Sequence, residues 1–191
     1  AVDPERQALF TGAKYLAFVS TLVPRDQVEE GQGSASEQGL QPNEGAPYAV
    51  ELGPLLSVLG LPCQAPSWGD VAGIDLQASE VVWKHRNGTT RDSMPFGLPI
   101  GLNVGVPALG GPLTTAGGVS FLSGTLDQYL RGYDITTGEE LYKARLPAGG
   151  QATPMTYTGA DGRQYVVVTA GGHGTFGTKM GDYVIGYALP E

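Results

Sequence analysis

Few residues of this 191-residue chain are of the kinds that carry chemistry, and their spacing excludes most of it. Its two histidines, His85 and His173, are too few to build a zinc site from this chain alone. Its single cysteine, Cys63, can form neither an internal disulfide nor a cysteine metal cage, so no metal ligand and no catalytic group is assigned. No glycine-rich run leads into Gly-Lys-Ser/Thr, which removes a phosphate-cradling loop. Gly31–Ser36 (GQGSAS) breaks the Gly-x-Ser-x-Gly pattern of a nucleophile elbow, and no His-x-x-x-His pair occurs. What remains are glycine-dense stretches, Asn87–Pro112 (NGTTRDSMPFGLPIGLNVGVPALGGP) and Ala170–Thr178 (AGGHGTFGT). Glycine permits close approach of backbone to a planar ligand. Near them stand isolated polar residues. Asp127 in GTLDQYL reads from its neighbours as the maker of a tight turn, and His173 as a residue of a surface loop.

The elements that must position these residues are strands. Gly117–Arg145 (GGVSFLSGTLDQYLRGYDITTGEELYKAR) reads as a strand, a tight turn, a strand ending in Gly-Tyr-Asp, a Thr-Thr-Gly turn and a third strand. Ala72–Arg86 (AGIDLQASEVVWKHR) is a weaker copy. Gly73 matches Gly132, Asp75 matches Asp134, Trp83 matches Tyr142 and Lys84 matches Lys143, all at one offset. A partial copy closes the chain, where Tyr183–Tyr187 (YVIGY) echoes Tyr129–Tyr133 (YLRGY). Repeated antiparallel units in a chain with 30 glycines and 14 prolines are the mark of a β-propeller or related array.

The expected strands are Val71–Leu76 with Glu80–His85 as a hairpin, then Val119–Ser123, Tyr129–Tyr133, Glu140–Arg145, Thr153–Tyr157, Gln164–Thr169 and Asp182–Leu189. Residues 7–23 (QALFTGAKYLAFVSTLV) read as one or two strands, with a short helix as the alternative. The polar stretch 24–47 reads as a flexible surface insertion, and Tyr48–Gly69, broken by prolines, as an irregular ordered loop. Asn87–Pro112 reads as an extended connection across one end of the structure, and its Asn87-Gly88-Thr89 sequon as a turn. About three blade-sized units result, a sector of a ring, and Ala1-Val2-Asp3 reads as the tail of a propeller strand, so a fragment is expected. The net charge of −8, without a Lys/Arg cluster, argues against nucleic acid and anionic membranes as partners. No targeting segment is visible, and Pro54–Pro62 is too short to span a membrane.

The segment GTLDQYLRGYDITTGEELYKARLPAGGQATPMTY resembles the tryptophan-docking repeat of the quinoprotein dehydrogenases, which use pyrroloquinoline quinone (PQQ) on an eight-bladed propeller. LGGPLTTAGGVSF, AGGHGTFGTKMGDYVIGYALP and GLPCQAPSWG fit the same family, most closely its membrane-bound branch that oxidises glucose, or quinate and shikimate, and reduces ubiquinone. The resemblance implies an all-β partial propeller, residues 1–191 forming a C-terminal sector with long loops. Trp83 would dock between blades, and Tyr142 in the Trp position would dock more weakly.

The resemblance also implies a cofactor, PQQ with a divalent cation (calcium or magnesium). The stacking residues, catalytic aspartate and quinone-side lysine would lie upstream of Ala1, leaving this fragment inactive alone. Asp127 matches a family aspartate near that lysine, where a carboxylate can hold the ammonium charged. Gly110 and Gly111 match a segment close to the cofactor, and His173 one near the substrate cavity. A family asparagine falls near Gly12, where this sequence has none. The implied partners are a sugar or cyclitol and ubiquinone, at the periplasmic face of the bacterial inner membrane. The other reading is a non-catalytic propeller scaffold of the bacterial envelope. Exposed blade edges would make the isolated chain self-associate.

Overall fold

In the computed structural model, residues 1–29, 32–34 and 38–189 are described, and they form strands linked by turns and long connections. In chain order the strands are β1 (Val2–Asp3), β2 (Ala8–Lys14), β3 (Phe18–Pro24), β4 (Gly39–Gln41), β5 (Tyr48–Pro54), β6 (Gly69–Asp75) and β7 (Glu80–Arg86). They continue with β8 (Leu113–Thr114), β9 (Val119–Leu122), β10 (Tyr129–Asp134), β11 (Glu140–Arg145), β12 (Met155–Thr158), β13 (Gln164–Ala170) and β14 (Tyr183–Ala188). Two compact units result, Ala1–Tyr15 with Pro66–Glu191, and Leu16–Ala65.

The first unit holds three antiparallel sheets, ordered β1-β2-β6-β7, β11-β10-β9-β8 and β12-β13-β14. They are the three expected blade units, and the sequence repeat is visible in their backbone. The register slips at Gly73/Ile74 in the first sheet and at the matching Gly132/Tyr133 in the second. Asp75 Oδ1 accepts from the amides of Gln77 and Ala78, and Asp134 Oδ1 from those of Thr136 and Thr137. Asp3 makes the same turn with the amides of Glu5 and Arg6. A short acceptor bonding two residues ahead fixes each strand exit.

The sheets stack through two apolar clusters. Phe10, Val71 and Trp83 of the first sheet meet Leu122 and Tyr133 of the second, with Ile135 just beyond it. Leu130, Leu146 and Ala148 meet Val168 and Ala170 of the third. Trp83 is the dock: its indole N–H donates to the Ile135 carbonyl at 2.9 Å, and its ring stacks on His85. Gly73 and Gly138 make room, since a Cβ on either would lie 2.2 or 2.5 Å from the indole. Tyr142, at the matching place, is 40% exposed and meets Tyr187 of the third sheet edge-on at 6.0 Å.

Register fixes where the loops lie. Lys14, Gly69 and Arg86 share one end of the first sheet, Leu122, Tyr129 and Arg145 one end of the second, and Ala170 and Tyr183 one end of the third. Connections 87–112, 123–128, 146–154 and 171–182 leave from these ends, and hydrogen bonds tie them together. Val106 N–H donates to Asn87 O, Leu109 to Gly124 O, and Gly149 to Lys179 O.

The second unit is a sheet of order β3-β5-β4. Here the reading of Tyr48–Gly69 as irregular is corrected: Tyr48–Pro54 is the central strand of this sheet. Pro47 precedes the strand and Pro54 ends it, so neither interrupts the ladder, and the run between them is free to pair. Of the stretch 24–47, residues 30, 31 and 35–37 lie outside the described residues. The rest includes β4 and a 3-10 turn at Arg25–Gln27, where the Arg25 guanidinium donates to the carbonyls of Pro42, Asn43 and Ala46.

Candidate functional site

At the loop end of the first unit a cleft of about 270 Å³ opens between β2 and the 106–112 connection. Gly12, Gly69, Gly110 and Gly111 line it together with two buried polar side chains, Asp70 and Asn87. Gly110 has φ +78°, and a Cβ there would lie 2.5 Å from the Gln151 carbonyl, so only glycine lets this loop pack against 151–152. The Gly111 amide donates to Thr153 Oγ1 at 2.8 Å. Asp70 is held by Lys84 at 2.9 Å, and that ammonium also donates to the Tyr15 hydroxyl.

His173 reaches the same wall through a relay. Its amide donates to Thr178 Oγ1 at 2.9 Å, that hydroxyl donates to Gln151 Oε1 at 2.9 Å, and Gln151 is buried beside Gly110. The imidazole stands edge-on to Phe176, and its buried Nδ1 has no hydrogen-bond partner among the described residues. A buried polar atom without a partner calls for a ligand or an explanation. Gln151 and Thr178 were not singled out from sequence.

Asp127 sits deeper, with no solvent exposure. Its Oδ1 accepts from Thr125 Oγ1 at 2.7 Å and Arg131 Nη1 at 3.0 Å. Its Oδ2 accepts from the Thr89 amide at 2.8 Å, Thr89 Oγ1 at 3.0 Å and Arg131 Nη2 at 2.5 Å. Burial alone would push this carboxyl up. The Arg131 guanidinium, Thr125 and the Thr89 amide outweigh it and hold the group below the usual carboxylate range. Arg131, itself buried, is likewise held charged by Asp127 against the opposing effect of burial. Thr89 belongs to the long connection, so the ion pair anchors 87–112 to the second sheet. Its missed signal was in the repeat: Arg131 stands where the other copies carry Ala72 and Ile185. A charge at an apolar repeat position marks a paired buried group.

The same comparison singles out Asn87, which stands where the second copy has Leu146. The two backbones match, Asn87 N–H donating to Gly69 O and Leu146 N–H to Gln128 O. Asn87 Oδ1 accepts from the Tyr133 phenol at 3.0 Å, and burial pushes that phenol up, keeping it a donor. The sequon asparagine is 2% exposed, which leaves no access for a sugar, and residues 87–89 form an extended connection with no turn, so the turn expected there is not found. Among the described residues no group of three or more His, Cys, Asp or Glu side chains could hold a metal ion, and no helix is long and apolar enough to cross a membrane.

Radially stacked antiparallel sheets with docking residues between them, and glycine-walled loops gathered at one end, define a β-propeller sector. Residues 1–166 match the model of the PQQ-type glucose/ethanol/alcohol dehydrogenase β-propeller domain, and the chain belongs to that family. Over its full length it is 52% identical to quinoprotein glucose dehydrogenase of Escherichia coli and 55% identical to quinoprotein glucose dehydrogenase A of Acinetobacter calcoaceticus. It is 40% identical to quinate/shikimate dehydrogenase (quinone) of Acinetobacter baylyi. The chain spans about a quarter of each relative's length (25%, 24% and 25%). Among solved structures, quinohemoprotein alcohol dehydrogenase from Comamonas testosteroni is similar with a TM-score of 0.56 and 25% identity, over all of this chain and 26% of that one.

Proposed function

We propose that this chain is the C-terminal sector of a PQQ-dependent dehydrogenase that oxidises a hydroxyl of a sugar or cyclitol, glucose or quinate/shikimate, and passes the electrons to ubiquinone. The observation that carries the reading is 50–55% identity, over the whole of this chain and about a quarter of each relative, to three quinoprotein glucose dehydrogenases, combined with a glycine-walled cleft at the loop end. Similarity to the quinate enzymes is lower, which favours an aldose as substrate. The catalytic base and the divalent cation's ligands are assigned to the remainder of the parent polypeptide, at the periplasmic face of the inner membrane.

The residues present leave room for a planar ligand: Gly12, Gly69, Gly110 and Gly111 put backbone without side chains along the cleft, and His173 on the neighbouring loop carries an unpartnered buried nitrogen. When bound, PQQ with its divalent cation supplies the two-electron acceptor for the hydroxyl-bearing carbon. The backbone of Gly110 and Gly111 would hold it on the cleft side, and His173 would offer Nδ1 from the neighbouring loop. Asp127 serves the cofactor region by holding a cation charged. In this chain that cation is Arg131, and the pair fixes the connection on which the glycines lie. Exposed strand residues such as Val81, Val82 and Val184 support self-association of the isolated chain.

The test adds PQQ with Ca²⁺ or Mg²⁺ to the isolated chain and to its full-length parent, and follows dye reduction with glucose and with quinate. Activity is expected in the parent alone. Turnover by the 191-residue chain would overturn the sector reading, and a full-length parent that binds no quinone would favour the envelope scaffold.

A further inference from the structure

We propose that Asn87 is a cofactor-binding residue, its side-chain amide donating a hydrogen bond to PQQ in the cleft formed with Gly12, Gly110 and Gly111. The inference rests on the function proposed above and on four observations about this chain. Asn87 is 2% exposed and lines that cleft. The matching position of the next repeat is Leu146, with the same backbone hydrogen bond and the same burial, so the local fold is satisfied by an apolar side chain. Tyr133 donates to Asn87 Oδ1, which fixes the amide so that Nδ2 is the free end. That Nδ2 has no partner among the described residues.

Among the described residues the buried side-chain nitrogen without a partner is His173 Nδ1, so Asn87 Nδ2 is not sealed off and is open to an acceptor in the cleft that it lines. Leucine at this place would offer no such donor. Backbone on both sides clamps the residue, its N–H on Gly69 O and its carbonyl accepting from Val106 at 2.8 Å, so the donor is preorganised. Among the described residues, the acidic side chain lining the cleft is Asp70, already paired with Lys84, and it disfavours an anion less than a free carboxylate would. The acceptor is therefore a carbonyl or carboxylate oxygen of the quinone, and the substrate hydroxyl is not needed to satisfy it.

The experiment measures the dissociation constant of PQQ for the full-length protein by fluorescence titration at fixed Ca²⁺, with thermal unfolding of each apo variant alongside. Asn87→Leu, which copies the second repeat, is expected to unfold at or above the wild-type temperature and to bind PQQ about ten- to a hundredfold more weakly, the loss of one hydrogen bond to a polar or charged group. Tyr133→Phe, which frees the amide to turn, is expected to weaken binding severalfold. Asn87→Asp keeps the shape, replaces the donor with an anion, and is expected to bind more weakly than Asn87→Leu. Asn87→Leu binding PQQ as tightly as wild type would overturn the proposal while leaving the dehydrogenase reading intact. Should Asn87→Leu fail to fold, the isosteric Asn87→Asp decides, and unchanged affinity there overturns it. A wild-type protein that binds no PQQ removes the underlying reading instead.

Discussion

Arg131→Met is the substitution that probes the buried ion pair most cleanly. The methionine fills much of the arginine's volume and removes its charge. Asp127 would keep three of its five donors, Thr89 N, Thr89 Oγ1 and Thr125 Oγ1, and lose both guanidinium bonds. Removing one partner of a buried pair costs about 3–5 kcal/mol, because the other charge stays behind uncompensated. Both partners here are at most 3% exposed, so solvent screening offers little relief. The double variant Asp127→Asn/Arg131→Met removes that stranded charge and is expected to recover about half the loss. The assay is urea unfolding of the full-length polypeptide, with hydrogen exchange at the Thr89 amide as the local probe. Arg131→Met should accelerate exchange at Thr89 and loosen 87–106. A stability loss under about 1 kcal/mol with unchanged Thr89 exchange would refute the anchoring role.

The same pair sets a pH dependence. Asp127's folded-state value lies below its unfolded value near 3.9, so its stabilisation is complete above that pH and is lost as pH falls through the folded value. In Arg131→Met, burial is left to push the carboxyl up, and acid unfolding should begin at a higher pH than in wild type. An unchanged acid transition contradicts this. Gly138→Ala places a Cβ 2.5 Å from the Trp83 ring at φ +76°, and a loss of at least about 2 kcal/mol, with altered Trp83 fluorescence, is expected. Tyr142→Trp should restore a fuller dock against the third sheet and raise the unfolding temperature, by roughly 0.5–1 kcal/mol in stability. A lowered unfolding temperature would show that this position is already optimally filled.

Much of the fold was legible because the repeat is local. Matched glycines, aspartates and an aromatic residue reappear as matched bulges, side-chain-capped turns and the Trp83 dock. Tyr48–Pro54 was not, since prolines next to a strand and prolines inside one look alike in composition until the ladder is known. Gly110, Gly111 and His173 were singled out by the family resemblance, and the link between them through Gln151 and Thr178 depends on contacts between loops far apart in sequence, which no local pattern shows. The partner of Asp127 was hidden for a different reason. Arg131 lies four residues away, within a strand whose copies are apolar there, and only alignment of the repeats with one another exposes it and Asn87 as polar residues in leucine-like and alanine-like places.

The most direct test of the whole account is a crystal structure of the full-length protein loaded with PQQ. The expected result places the three sheets side by side in a closed ring, with the quinone within about 4 Å of Gly110, Gly111 and Asn87. A quinone bound away from this cleft, or sheets that take no part in a ring, would contradict it.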